Sequence, residues 1–89
     1  MDDLRKAIDA IDDQMQDLFV KRMTLVKQIA QQKKADGLAV LNQDREEEIL
    51  TRLNSKLDDP LLKGLYPRFI INLMEISKLY QEQLIRGEK

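Results

Sequence analysis

Apolar residues recur at spacings of four and three along the first third of the chain: Leu4, Ile8, Ile11, Met15, Leu18, Leu25 and Ile29, with Arg22 set in the same stripe. This is the heptad pattern of an amphipathic helix. It predicts a helix from Leu4 to about Lys34, opened by the acidic Asp2 and Asp3 and stopped at Ala35-Asp36-Gly37. Asp36 to Leu41 reads as a short loop whose Leu38, Ala39 and Val40 pack down. A second helix is expected from about Asn42 to Leu57, with Asn42, Glu46, Ile49, Leu53 and Leu57 facing inward. Asp59 and Pro60 suit the cap and first position of a new turn. Lys63-Gly64 reads as a further break, and Pro67 puts the start of the third main helix at about Tyr66. That helix runs to about Ile85 with the stripe Ile70, Met74, Ser77, Gln81 and Leu84, and residues 85–89 are expected to fray. No segment alternates as a strand does. The fold class is all-α, with three helices, the first very long, in one domain spanning 1–89.

The length of the first helix changes the picture. Some 30 residues at ~1.5 Å each make a rod of ~45 Å, whereas a compact domain of this size has a radius of gyration of only ~12 Å. A single chain would leave much of the stripe bare. The expectation is a two-fold homodimer in which the long helices intertwine.

Composition narrows the chemistry. There is no Cys and no His, so thiolate and imidazole nucleophiles or bases are excluded and a zinc site is not credible. Lys and Arg number 15 against 16 Asp and Glu, and without a basic excess nucleic acid is not expected as a partner. No apolar run approaches the ~18 residues of a membrane span. The acidic start, Met1-Asp2-Asp3, is unlike a signal peptide. The expected location is the cytoplasm, with no membrane partner.

Specific polar residues break each apolar stripe. Arg22 breaks the first, and Lys33, 11 residues on, returns to within ~20° of the same face. Asn42 and Glu46 break the second, and Ser77 and Gln81 the third, each pair at i,i+4. Each has a local explanation: Arg22 snorkelling from the seam, Lys33 favoured at a helix C-terminus, Asn42 as an N-cap with Glu46 in the first turn, Ser77 bonded to the carbonyl four residues back, Gln81 at a solvated edge. A shared pocket explains all of them at once, because inward side chains of separate helices in a bundle converge. Two cations, one carboxylate, a hydroxyl and two amides suit a small dianion, gripped by Arg and given further donors by Lys and Gln. Glu46 among cations makes a magnesium site weak, and no metal is expected. Such a pocket would act by positioning and electrostatic preorganisation.

These residues carry a resemblance. The run Leu4-Arg5-Lys6-Ala7-Ile8-Asp9-Ala10-Ile11-Asp12, then Lys21-Arg22-Met23, Lys33, Asp44-Arg45-Glu46, and Ser77 with Gln81 are similar to the all-helical chorismate mutases, the AroQ class, over essentially the whole chain. The resemblance implies an intertwined helical homodimer with two active sites, each built from both chains. It implies a Claisen rearrangement of chorismate to prephenate, feeding phenylalanine and tyrosine synthesis, and no cofactor. By the same resemblance Arg22 would bind a substrate carboxylate and Arg5 would reach in from the other chain. Lys33 and Gln81 would donate to the ether oxygen, and Glu46 would accept from the ring hydroxyl. Ser77 would contact a carboxylate, and Arg45 would contribute through its neighbours or a water. Family members often carry Asp where this chain has Asn42. If the position works through its backbone the change is neutral; if its charge orients Lys33, the site here is more positive. Any regulatory enzyme partner would act as a separate protein or at an unmarked surface.

Two rivals stand beside this reading. An isochorismate-pyruvate lyase on the same scaffold would also take a dianion with an enolpyruvyl ether. A non-catalytic dimerisation or regulatory module would use the heptads for association and the polar breaks for register.

Overall fold

The computed structural model describes residues 1–87 and is all-α among them. Three helices follow in order: α1 (Asp2–Asp36), α2 (Gln43–Asn54) and α3 (Pro60–Ile85). α3 is the hub, packing on α1 along one side and on α2 along another. The chain measures 50 × 28 × 14 Å, with a radius of gyration of 15.9 Å. That exceeds the ~12 Å of a compact domain of this length, because α1 projects beyond the rest.

Local chemistry sets the helix ends. Asp2 and Asp3 lie inside the first turn of α1, where they favour its positive pole; Met1 is the N-cap and makes no side-chain capping bond. Gly37 ends α1 in the left-handed region at φ 68°, a conformation glycine adopts without steric cost. Its N–H donates to the Lys34 carbonyl, and Leu38 N–H reaches back to the Lys33 carbonyl at 2.8 Å, the paired closure of a Schellman turn. The reversal returns Val40 to the side of Lys33. Of the loop trio only Val40, whose carbonyl accepts from Lys33 Nζ, is half-buried; Leu38 and Ala39, directly after the Gly37 reversal, stay exposed.

α2 begins where Asn42 Oδ1 accepts from Arg45 N at 3.1 Å. It ends at Asn54, three residues before the expected Leu57, and Lys56 and Leu57 continue in tight i to i+3 turns. α3 differs more. It starts at Pro60, with Asp59 Oδ1 accepting from Leu61 N at 2.8 Å, and it continues through Lys63-Gly64 and Pro67. The Asp59-Pro60 start signal is therefore the true helix N-terminus. Pro67 costs the helix one bond to the Lys63 carbonyl. The flanking turns hold, with Tyr66 and Phe69 stacked at 5.9 Å between ring centroids. The helix ends at Ile85 as expected, and Arg86 and Gly87 form a turn. The rest of the expected frayed tail, 88–89, lies outside the described residues.

The apolar core is small: Val26, Ala30, Ile70 and Met74. On α3 the expected stripe is the buried one, with Ile70, Met74, Ser77 and Gln81 all inside. On α1 it is not. Leu4, Ile8, Ile11, Met15, Leu18, Leu25 and Ile29 remain exposed, Leu4 by 67% and Leu18 by 63%. The face turned to α3 is instead Arg22, Val26, Ala30 and Lys33: it shares Arg22 with the stripe but buries Val26 and Ala30, each one position beyond a stripe residue, in place of Leu25 and Ile29. The heptad seam thus points largely away from the chain's own core. Among the described residues, no helix is long and apolar enough to cross a membrane.

Candidate functional site

Where α1, α3 and the start of α2 meet, a cavity of about 330 Å³ opens. Its walls include Arg22, Ile29 and Lys33 from α1, Asn42, Arg45 and Glu46 from the start of α2, and Met74, Ser77, Lys78 and Gln81 from α3. The six polar positions expected to converge, Arg22, Lys33, Asn42, Glu46, Ser77 and Gln81, all line it. Arg5, expected to serve the other chain's site, lies 17 residues before Arg22 on the same helix, about 25 Å away at ~1.5 Å per residue, and does not reach this chain's cavity.

The local explanations and the shared pocket hold together for several residues. Asn42 is both the α2 N-cap and part of the wall. Ser77 Oγ donates to the Leu73 carbonyl at 2.9 Å, the bond to the fourth residue back, and also accepts from Arg22 Nη1. A hydroxyl has one proton; with it directed at Leu73, the lone pairs of Ser77 face the guanidinium and fix its direction. Arg22 therefore does not snorkel away. Partial burial lowers its pKa from the ordinary value, and arginine's basicity is so high that it stays cationic.

Lys33 Nζ donates to the Val40 carbonyl at 2.7 Å. An ammonium has three N–H donors, so two remain for a ligand while the loop carbonyl holds the group in place. Gln81 is buried, 6% exposed, and its Oε1 has no hydrogen-bond partner. In a closed core an orphaned amide oxygen costs about 1–3 kcal/mol. In a site that a ligand or second chain completes, this oxygen can accept from an N–H or O–H that either brings.

Arg45 turns outward to Glu48 at 2.9 Å, an exposed i,i+3 pair of little energetic weight. Glu46 faces α3, where Lys78 Nζ lies 3.1 Å from its Oε2 and 2.7 Å from Glu75 Oε1. Hydrogen bonds to Glu75 and Glu46 raise the Lys78 pKa above the usual lysine value, against the opposing effect of burial. Lys78 is the wall residue that sequence reasoning missed. The sequence does carry a signal for it: Met74, Lys78 and Gln81 follow the same four-and-three spacing as the stripe, although Ser77 beside it is the more conspicuous polar break.

The assembled site is an electropositive cleft with one oriented guanidinium, one tethered ammonium, one buried amide and one carboxylate held at its edge. That arrangement has the charges and donors to suit a small dianion with a third oxygen. Residues 4–82 match the family model described as chorismate mutase type II. The chain belongs to the chorismate mutase type II family. Membership supports chorismate mutase activity, an isomerisation, for this chain, and agrees with its all-α architecture. No curated protein and no solved structure matches the chain.

Proposed function

We propose that the chain is a cytoplasmic chorismate mutase that converts chorismate to prephenate by a Claisen rearrangement, on the route to phenylalanine and tyrosine. The observation that carries this reading is the convergence of Arg22, Lys33, Glu46 and Gln81, from three separate helices, on one cavity. The rearrangement breaks one C–O bond and forms one C–C bond within a single molecule, with no proton transfer. A chain without His or Cys has what such a reaction requires.

On this reading the Arg22 guanidinium, aimed by Ser77, grips one substrate carboxylate. Lys33 and Gln81 donate to the ether oxygen, on which negative charge grows as the C–O bond breaks. A preorganised donor of this kind contributes ~10²–10³ in rate. Glu46 accepts from the ring hydroxyl and so fixes the diaxial chair, the near-attack geometry. Asn42 holds the start of α2, and with it Glu46, in place. Arg45 sits at the rim and contributes through Glu48 or a water. In the resting site Ser77 acts through Arg22, since its proton is engaged with Leu73.

The active unit on this reading is a homodimer with shared sites. An apolar groove of about 620 Å³ runs between α1 and α3, lined by Leu18, Phe19, Phe69, Leu73 and Ile76, and meets the polar cavity at Arg22. The occupant that matches it is the exposed stripe of a second α1. Seven exposed side chains on that stripe, each worth ~1.5–3 kcal/mol when fully buried and already about half covered, supply on the order of 5–10 kcal/mol per chain. The partner's α1, laid in the groove, would carry its arginine near the N-terminus toward Arg22. That accounts for an Arg5 that cannot reach its own site.

The test is incubation of the purified chain with chorismate, following substrate absorbance and identifying the product. Prephenate is expected. Salicylate and pyruvate from isochorismate, with no turnover of chorismate, would assign the lyase activity instead; turnover of neither would leave a dimerisation module.

A further inference from the structure

Lys78 is the charged residue of the cavity wall to which neither the resemblance nor the proposed reaction gives a role. It follows Ser77 directly and precedes Gln81 by three positions on α3, and it is half-buried. Its ammonium sits between two carboxylates, 2.7 Å from Glu75 on its own helix and 3.1 Å from Glu46 across on α2. With both partners engaged, it is a poor candidate for gripping substrate directly.

The surroundings of Glu46 show what the contact does. Glu46 shares its cavity with Arg22, Lys33 and Arg45. Without a fixed partner, its carboxylate would be drawn to the nearest of these cations in the empty site. Paired with Arg22 or Lys33, it would neutralise the donors that a dianionic substrate requires and would itself be lost to the ring hydroxyl. Lys78 engages one carboxylate oxygen, Oε2, and leaves the other uncommitted. Glu75 in turn holds Lys78 back from following an incoming dianion. The three residues form a chain of alternating charge from the α3 surface to the cavity.

We propose that Lys78 is a positioning residue: it pins the Glu46 carboxylate to the α3 side of the cavity and so keeps Arg22 and Lys33 free for the substrate. This rests on the reading of the cavity as the site of the rearrangement. Hydrogen bonds to the two carboxylates hold the lysine above its ordinary pKa, so the clamp stays charged throughout the neutral range.

The experiment is steady-state kinetics on chorismate with wild type, Arg22→Ala, Lys78→Gln, Lys78→Arg, Glu46→Gln and the Lys78→Gln/Glu46→Gln double variant, each checked for helical content and native mass. Wild-type turnover that is lost in Arg22→Ala supports the cavity reading; absence of wild-type turnover sinks that reading, and this proposal with it. Given wild-type turnover, Lys78→Gln is expected to lower kcat/KM about tenfold, and Lys78→Arg to restore it to within about threefold of wild type. On the Glu46→Gln background, Lys78→Gln should cost less than about twofold more, because the two residues act as one unit. Lys78→Met, which removes both charge and donor, replaces Lys78→Gln if the latter does not fold. A Lys78→Gln enzyme with wild-type kcat/KM would overturn the proposal. So would an equal fold-loss on both backgrounds, which would make Lys78 an independent contact with substrate.

Discussion

The sharpest consequence of the site geometry concerns one oxygen atom. Ser77 Oγ, in a residue only 5% exposed, both accepts from Arg22 Nη1 and donates to the Leu73 carbonyl. Ser77→Ala removes that acceptor and leaves Arg22 free to seek water. Arg22 is only partly buried, so water can replace the lost partner and no charge is stranded. The catalytic cost is then that of re-ordering one long side chain on substrate binding, about 0.5–1.5 kcal/mol. That corresponds to a roughly 2–12-fold fall in kcat/KM. Arg22→Ala removes the contact with the substrate itself, at about 2–5 kcal/mol, or at least ~30-fold. Stability should move little in Ser77→Ala: alanine's better helix propensity, about 0.5 kcal/mol, offsets the lost hydroxyl bond. The assay is kcat/KM for chorismate loss on wild type and both variants, with thermal melts alongside. A Ser77→Ala defect as deep as that of Arg22→Ala would refute the reasoning, because the serine would then contact substrate directly. An unimpaired Ser77→Ala would also refute it, because Arg22 would need no positioning.

Three further outcomes follow from the same geometry. Lys33→Ala and Gln81→Ala should each lower kcat by ~10²–10³ while changing KM far less, as expected for donors to an oxygen that becomes charged only in the transition state; wild-type kcat in either would remove it from the ether contact. Asn42→Asp retains the cap on Arg45 N and should leave kcat within about threefold, with a gain of roughly 0.3–1 kcal/mol in melting stability from the helix dipole; a tenfold change in kcat would show instead that charge at this position orients Lys33. Ile11→Glu places a charge on the exposed α1 stripe and should shift the native mass at micromolar concentration from dimer to monomer with loss of activity; an active dimer would place the interface elsewhere.

Much of this was legible in the sequence because spacing carries it. The α3 stripe is buried at the positions its periodicity marks, since α3 is covered by neighbours from its own chain. The α1 stripe was equally clear as a pattern, but periodicity does not say which surface covers it. Val26 and Ala30, small and one position aside, meet α3, while the larger Leu25 and Ile29 do not bury. At the α3 N-terminus Gly64 and Pro67 both read as breakers, yet the helix runs through them from Pro60. Propensity there competes with a strong Asp59-Pro60 cap and a long packed helix downstream, and the tertiary terms win. The site itself was legible through polar breaks at i,i+4. Lys78 was hidden because its function lies in two carboxylates, and Glu46, the one across the cavity, becomes its neighbour only after folding.

On the proposed reading, each active site joins the Arg22 cavity of one chain to an arginine of another. Mixing Arg5→Ala and Arg22→Ala chains, unfolded and refolded together, tests it most directly. Each single variant should be nearly inactive alone. In the mixture half of the dimers are mixed, and each of those has one site with both arginines and one with neither. Chorismate turnover should therefore recover to about a quarter of wild type. No recovery above the separate variants, with mixed dimers demonstrated by mass, would contradict shared sites; a fully active Arg5→Ala chain would do the same.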